Sequence, residues 1–139
     1  LKPYTYALLA VLSWGMAPIF GKLGLAKTDP MIGLSIRTLV TVLFLLITLG
    51  ARNEFHQFLT LDKFSLGMLA LEGLFASALG HLFYFYALKF GEASRITFIM
   101  AAYPLVTYIA AMIILKEGFS LTKLGGAVFI LAGVFLLTK

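Results

Sequence analysis

Five long apolar stretches, joined by short polar connections, make up almost the whole chain. They run roughly Tyr4–Leu25, Met31–Leu49, Ser65–Leu88, Ile96–Leu115 and Leu121–Thr138. Each is close to the ~20 apolar residues that a helix needs to cross a bilayer. The chain is 61% hydrophobic and 12% charged over 139 residues. A soluble domain of that size cannot hide so much apolar surface, such domains being about 45–50% apolar. Lipid offers the backbone no hydrogen-bond partners, so spans of this length are helices and not barrel strands. The expected fold is all-α and integral to the membrane: one bundle of five transmembrane helices, a single domain over residues 1–139.

Five is an odd number, so the two termini lie on opposite faces of the bilayer. A second copy fused head to tail would be inverted relative to the first. Inverted repeats of that kind build many secondary transporters, and the chain has the form of one half of such an architecture. No internal repeat at a 20–50-residue period is evident, so any symmetry must come from a second chain. The first apolar run is too long for a signal-peptide core and leads into further spans, so no cleavable signal is expected. The most polar segment, Gly50–Phe64, carries Phe55, Phe58, Leu59 and Leu61 and suits the headgroup region better than a separate domain.

The net charge of +5 does not form a nucleic-acid-binding stripe. The basic residues sit singly at helix ends, as headgroup anchors do, and no nucleic-acid partner is expected. On the side of the N-terminus, side A, lie Lys2, Arg52, Lys63, Lys116 and Lys123. On side B lie Lys22, Lys27, Lys89, Arg95 and Lys139, with Arg37 nearer side B inside the second helix. Cytoplasmic loops carry an excess of Lys and Arg, and this tally is nearly tied. Two readings stay open: a slight bias that puts side B inside, or dual topology with antiparallel pairing. If the source is prokaryotic, the plasma membrane is the expected location.

Several residues are too expensive or too disruptive for a plain lipid-facing helix. Trp14 stands near mid-bilayer, where tryptophan is displaced from its preferred interface. Pro18, one turn on, removes a helical hydrogen bond. Arg37 lies about 9 Å from the side-B end of its helix, where it either snorkels to headgroups, forms a structural pair or faces substrate. Glu72 and His81 each lie about 10 Å inside the third helix, from opposite ends. Ionisable groups at such depth cost several kcal/mol unless paired, hydrated or protonated. At α-helical spacing, nine positions place them about 180° apart. Gly73, Ala76, Ser77 and Gly80 form a small-residue stripe that allows close contact. The run Phe83-Tyr84-Phe85-Tyr86 suits either an interfacial aromatic belt or a substrate cage.

In the fourth helix, Tyr103-Pro104 lies near mid-bilayer, with Thr107 and Tyr108 following. Ser94 is the expected N-cap and Gly118 the expected helix stop. Ser120 caps the fifth helix, where Gly125 and Gly133 share one packing face. No cysteine is present, which excludes disulfide and thiolate chemistry. No HExxH, GxSxG, P-loop or GxGxxG occurs. Ser77 and His81 are one turn apart but lack an oxyanion site. No catalytic residue, metal or cofactor is expected.

The chain resembles the EamA-type repeat of the drug/metabolite transporter superfamily. The residues that carry the resemblance are Trp14-Gly15 followed by Lys22, then Arg37, then Tyr86-Ala87-Leu88. They continue with Pro104, Lys116-Glu117, Gly125 and Gly133, spanning essentially the whole chain. The resemblance implies a carrier of small metabolites, often outward, with a pathway between two inverted five-helix halves. Most members carry two repeats where this chain has one, which implies a second subunit, as in small multidrug resistance relatives that pair antiparallel.

The expected function is therefore a secondary transporter, an exporter of small metabolites or drugs, that works as an antiparallel homodimer by alternating access. Trp14, Arg37, Glu72, His81, Tyr103 and Tyr108 are the candidate substrate-pathway residues, with Pro18 and Pro104 as backbone joints. Glu72 is the candidate for proton coupling or for binding a cationic substrate, since a deep carboxyl holds its proton more tightly. The alternatives are an accessory subunit of a hetero-oligomer and a flippase for lipid-linked substrates.

Overall fold

A computed structural model describes residues 3–137. All regular structure among them is helical. We label the helices α1 (Pro3–Leu25), α2 (Pro30–Arg52), α3 (Lys63–Phe90), α4 (Ala93–Ile114) and α5 (Leu121–Leu137). The first four are long and apolar enough to cross a membrane. The fifth has 17 residues, about 25 Å of helix, at the short end of the spanning range. Thr138, where the fifth apolar stretch was expected to end, lies outside the described residues, as do Lys2 and Lys139 of the charge tally.

The helix ends follow local chemistry. Asp29 caps α2, its carboxylate accepting from the Met31 N–H at 2.8 Å, and Pro30 occupies the first turn, where its missing N–H costs nothing. Asn53 ends α2 in the left-handed conformation, φ 54°. A short 3₁₀ segment, Phe55–Thr60, leads to Asp62, which caps α3 by accepting from the Ser65 N–H at 2.9 Å. Hydrogen bonds from Ser65 hold the Asp62 carboxyl below the usual carboxylate range.

Three local expectations are corrected. Ser94 is not the N-cap of α4: Glu92 holds that position, without a side-chain cap bond. Gly118 is not the residue that ends α4: Lys116 adopts the left-handed conformation, φ 54°, and the Glu117 N–H reaches back to the Ala111 carbonyl. The α3 helix is not α-helical throughout. Residues Gly73–Gly80 form a π-helical segment between two α-helical halves. Its turns, closed by i→i+5 bonds, hold more residues than α-turns, so the half-turn separation of Glu72 and His81 expected from α-helical spacing does not apply.

Gly80 explains part of that departure. A Cβ at this position would sit 2.7 Å from the Phe75 carbonyl oxygen, five residues back. Only glycine fits there without moving backbone. The His81 imidazole adds to the same segment through Nδ1, which lies 2.6 Å from the Ala76 carbonyl. A carbonyl only accepts, so Nδ1 is the donor and carries the proton.

The described residues fall into two compact units, one ending at Phe90 and one beginning at Gly91. In the first, the C-terminal half of α3 packs against both α1 and α2. Its buried residues gather at the side-B end: Pro18 and Leu25 of α1, Pro30 and Leu34 of α2, Phe85 and Leu88 of α3. Glycines allow this approach. A Cβ on Gly21 would lie 2.9 Å from Leu88, and one on Gly33 would lie 2.9 Å from Leu25. Two lysines tie the same end. Lys22 Nζ donates to the carbonyls of Leu88 and Lys89 at 2.8 and 3.0 Å, and Lys89 Nζ donates to Thr28 at 2.8 Å. The Lys22 bonds meet carbonyls that the end of α3 leaves unsatisfied, and the Lys89 bond ties the α1–α2 connection to α3.

In the second unit α4 pauses at Ala101–Ala102 and restarts at Tyr103, with Pro104 in the new first turn. Bonds across the pause include the tighter i→i+3 type, such as Ala102 N–H to Ile99 and Leu105 N–H to Ala102. α5 lies against α4 with Ala127 buried. Gly125 and Gly133 meet nothing: a Cβ on either would have no neighbour within 4 Å among the described residues.

Candidate functional site

The side-B end of the first unit holds an open cavity of about 420 Å³. It opens where α1 ends, α2 begins and α3 finishes. Its walls include Phe20, Leu25, Ile36 and Phe85, and its polar groups come from Thr28, Arg37, His81 and Tyr84. The size and the mostly apolar lining with a few convergent polar groups suit a small-molecule site.

Each polar wall residue is placed by its helix. Arg37 stands two turns into α2, one turn beyond Gly33 on the same face, and the missing side chain at Gly33 lets Leu25 and Phe85 close over the helix there. It is half-buried, and none of the ion pairs among the described residues involves it. His81 follows the π segment directly. Its ring stands edge-on to Tyr84 and Phe85, with centroids 6.4 and 6.5 Å away, a favourable geometry for aromatic pairs. Its Nδ1 is committed to Ala76, so a ligand meets the remaining nitrogen or the ring face. The structure thus brings together two of the residues singled out from the sequence, Arg37 and His81.

The others stand elsewhere. Glu72 is exposed at the start of the π segment, and no ion pair or hydrogen bond of its carboxylate is seen among the described residues. Trp14 is 68% exposed on α1 and does not line the cavity. Pro18 is buried inside a continuous α1. Tyr103 is 56% exposed beside the pause in α4. Tyr108 is engaged: its hydroxyl accepts from the Ser120 N–H at 3.0 Å and lies 3.3 Å from the Ser120 carbonyl. Lys123 sits 5.9 Å over its ring and pairs with Glu117 at 3.2 Å.

Sequence reasoning passed over Gly33 and the capping role of Lys22 and Lys89. Their signal was present in outline: a glycine near a helix end, and lysines in the last turns of α1 and α3, where carbonyls lack partners.

Comparison with known proteins places the chain in a family. The chain matches the EamA-like transporter family over residues 1–139. It belongs to that family. Among relatives of this EamA-like chain is the "uncharacterized transporter in cobO 3′ region" of Sinorhizobium. It is 29% identical over 132 residues, which is 95% of this chain and 93% of the relative. The uncharacterized transporter YvbV of Bacillus subtilis is 26% identical over 130 residues, 94% of this chain but 42% of its own length. An uncharacterized transporter of Archaeoglobus fulgidus is 30% identical over 74 residues, 53% of this chain and 27% of the relative. The chain therefore spans less than half of two of these three relatives. No solved structure matches it. The EamA-like chain is an integral, multi-pass membrane protein of a transporter family.

Proposed function

We propose that this EamA-like protein is a secondary transporter that exports small molecules and works as an antiparallel homodimer by alternating access. It acts as a carrier and not as an enzyme. The observation that carries the reading is Glu72, a carboxylate within a span of 28 residues, exposed on the surface of its own unit. A charged side chain facing lipid at that depth costs about 3 kcal/mol by insertion scales. A partner subunit or a water-filled path between subunits removes that cost. In an antiparallel pair the partner's α3 runs the other way, so each Glu72 comes toward the depth of the opposite Arg37 and His81.

The relatives support the same reading. YvbV leaves more than half of its length outside the match, enough for a second bundle, and in the proposed pair the second copy of this chain plays that part. In this scheme Glu72 exchanges a proton for cargo, Trp14, Tyr103 and Tyr108 add to the pathway surface, and Pro18 and the pause before Pro104 act as joints. Gly125 and Gly133, open on α5, are the packing face for the mate.

The test is a C-terminal fusion to reporters that work on one side of the membrane only. Strong signal from both sides is the expected result. Signal from a single side overturns the antiparallel homodimer. The Glu72→Gln variant addresses coupling: proton-driven transport should be lost, and unchanged transport removes Glu72 from the mechanism.

A further inference from the structure

We infer that the side-B cavity binds a monoanion with an apolar body, its charged group held by Arg37. The inference rests on the transporter reading and adds the chemical class of the ligand. Charge comes first. This end of the first unit carries Lys22, Lys27, Arg37 and Lys89 against one acid, Asp29. The Asp29 carboxylate already accepts from the Met31 N–H. Lys89 directs an ammonium proton to the carbonyl of Thr28, a residue of the cavity wall, so this end of the unit carries more basic than acidic groups. The field is positive and selects anions.

Geometry comes second. Arg37 lines the cavity, and none of the ion pairs among the described residues involves its guanidinium. A guanidinium offers a planar fork that takes one carboxylate or one phosphate through two parallel bonds. One such fork in the wall fits one anionic group and not a polyphosphate. The remaining walls fix the body. Phe20, Ile36 and Phe85 present apolar surface, and the His81 ring, turned edge-on to Tyr84 and Phe85, adds an aromatic face. An aromatic or branched carboxylate satisfies both requirements. So does a lipid whose headgroup phosphate reaches Arg37 while its chains stay in the bilayer.

Binding is measured on the full chain in nanodiscs of phosphatidylcholine by calorimetric titration, apart from any transport assay. The probes share one ring and differ in charge: benzoate, benzamide and benzylamine. Benzoate should bind at least about tenfold more tightly than the other two, since a charge-assisted bond at this site is worth that factor. Arg37→Gln should weaken benzoate by about tenfold or more, and Arg37→Lys by less. Adding phosphatidylglycerol to the discs separates the two sources: unchanged benzoate affinity supports a free organic acid, and competition supports the lipid headgroup. Benzylamine or benzamide binding as tightly as benzoate overturns the inference without reference to any variant. Full benzoate affinity in a folded Arg37→Gln protein also overturns it. Neither result bears on the reporter test of dimer topology, so failure of this inference and failure of the transporter reading remain distinguishable.

Discussion

Substituting alanine for two glycines of α3 should give opposite results, and the reason lies in one carbonyl. A Cβ on Gly80 would stand 2.7 Å from the Phe75 oxygen, whereas one on Gly73 would meet nothing within 4 Å. Contacts between carbon and carbonyl oxygen are ordinarily no closer than about 3.3 Å, so at position 80 backbone must move by roughly half an ångström or more. Such overpacking costs about 1–3 kcal/mol. Alanine also favours helix over glycine by about 1 kcal/mol. Gly73→Ala should therefore be stabilising by up to about 1 kcal/mol. Gly80→Ala should be neutral to destabilising by about 2 kcal/mol, the two variants differing by about 1–3 kcal/mol. Reversible unfolding of the purified protein in mixed micelles with increasing denaturing detergent measures both. If the helix instead relieves the clash by reverting to α-turns, each residue shed turns the two halves of α3 against each other by about 100°. That would carry His81 out of the cavity wall. Gly80→Ala equal to or more stable than Gly73→Ala would refute the argument that glycine is required at this π turn.

Two further perturbations follow from single contacts. Tyr108→Phe removes the hydroxyl that holds Ser120; it should destabilise the second unit by about 1–2 kcal/mol, while Tyr103→Phe, on an exposed ring, should stay within about 0.5 kcal/mol. The same detergent titration reads both. Lys22→Met removes donors from the Leu88 and Lys89 carbonyls; the end of α3 should fray by about 1.5–3 kcal/mol, seen as faster amide hydrogen exchange over residues 85–90, and unchanged exchange there would count against the cap.

How much of this was legible beforehand depends on how local the cause is. The five helices and the start of α2 at Pro30 were readable because hydropathy and proline geometry act within a few residues. The end of α4 was not. Gly118 looked like the natural stop, yet Lys116 takes the left-handed turn in a connection where Tyr108, a residue of the helix body, holds Ser120. The π segment was hidden for a related reason: a stripe of small residues fits close helix contact as readily as it fits wider turns, and the deciding contact runs from Gly80 to a carbonyl five residues away. Arg37 and His81 were legible as deep and costly, and their similar depth near side B was visible. Their shared cavity depends on the packing of Leu25 and Phe85 over Gly33. The engagement of the Tyr108 hydroxyl could not be read from spacing.

The burial pattern of the first unit has a mechanical side. Its packed residues and both lysine ties sit at one end of α1, α2 and α3, and none of the residues described in the opposite halves is buried. A structure fastened at one end behaves as a lever. With α1 about 34 Å long, a tilt of about 10° at the fastened end moves the free end by about 6 Å, roughly the width of a small solute. Little packing has to break for such a swing, because the contacts lie near the fulcrum where displacement is smallest. The far end is then the place where opening is cheap, and the face bearing Glu72 lies on the arm that moves.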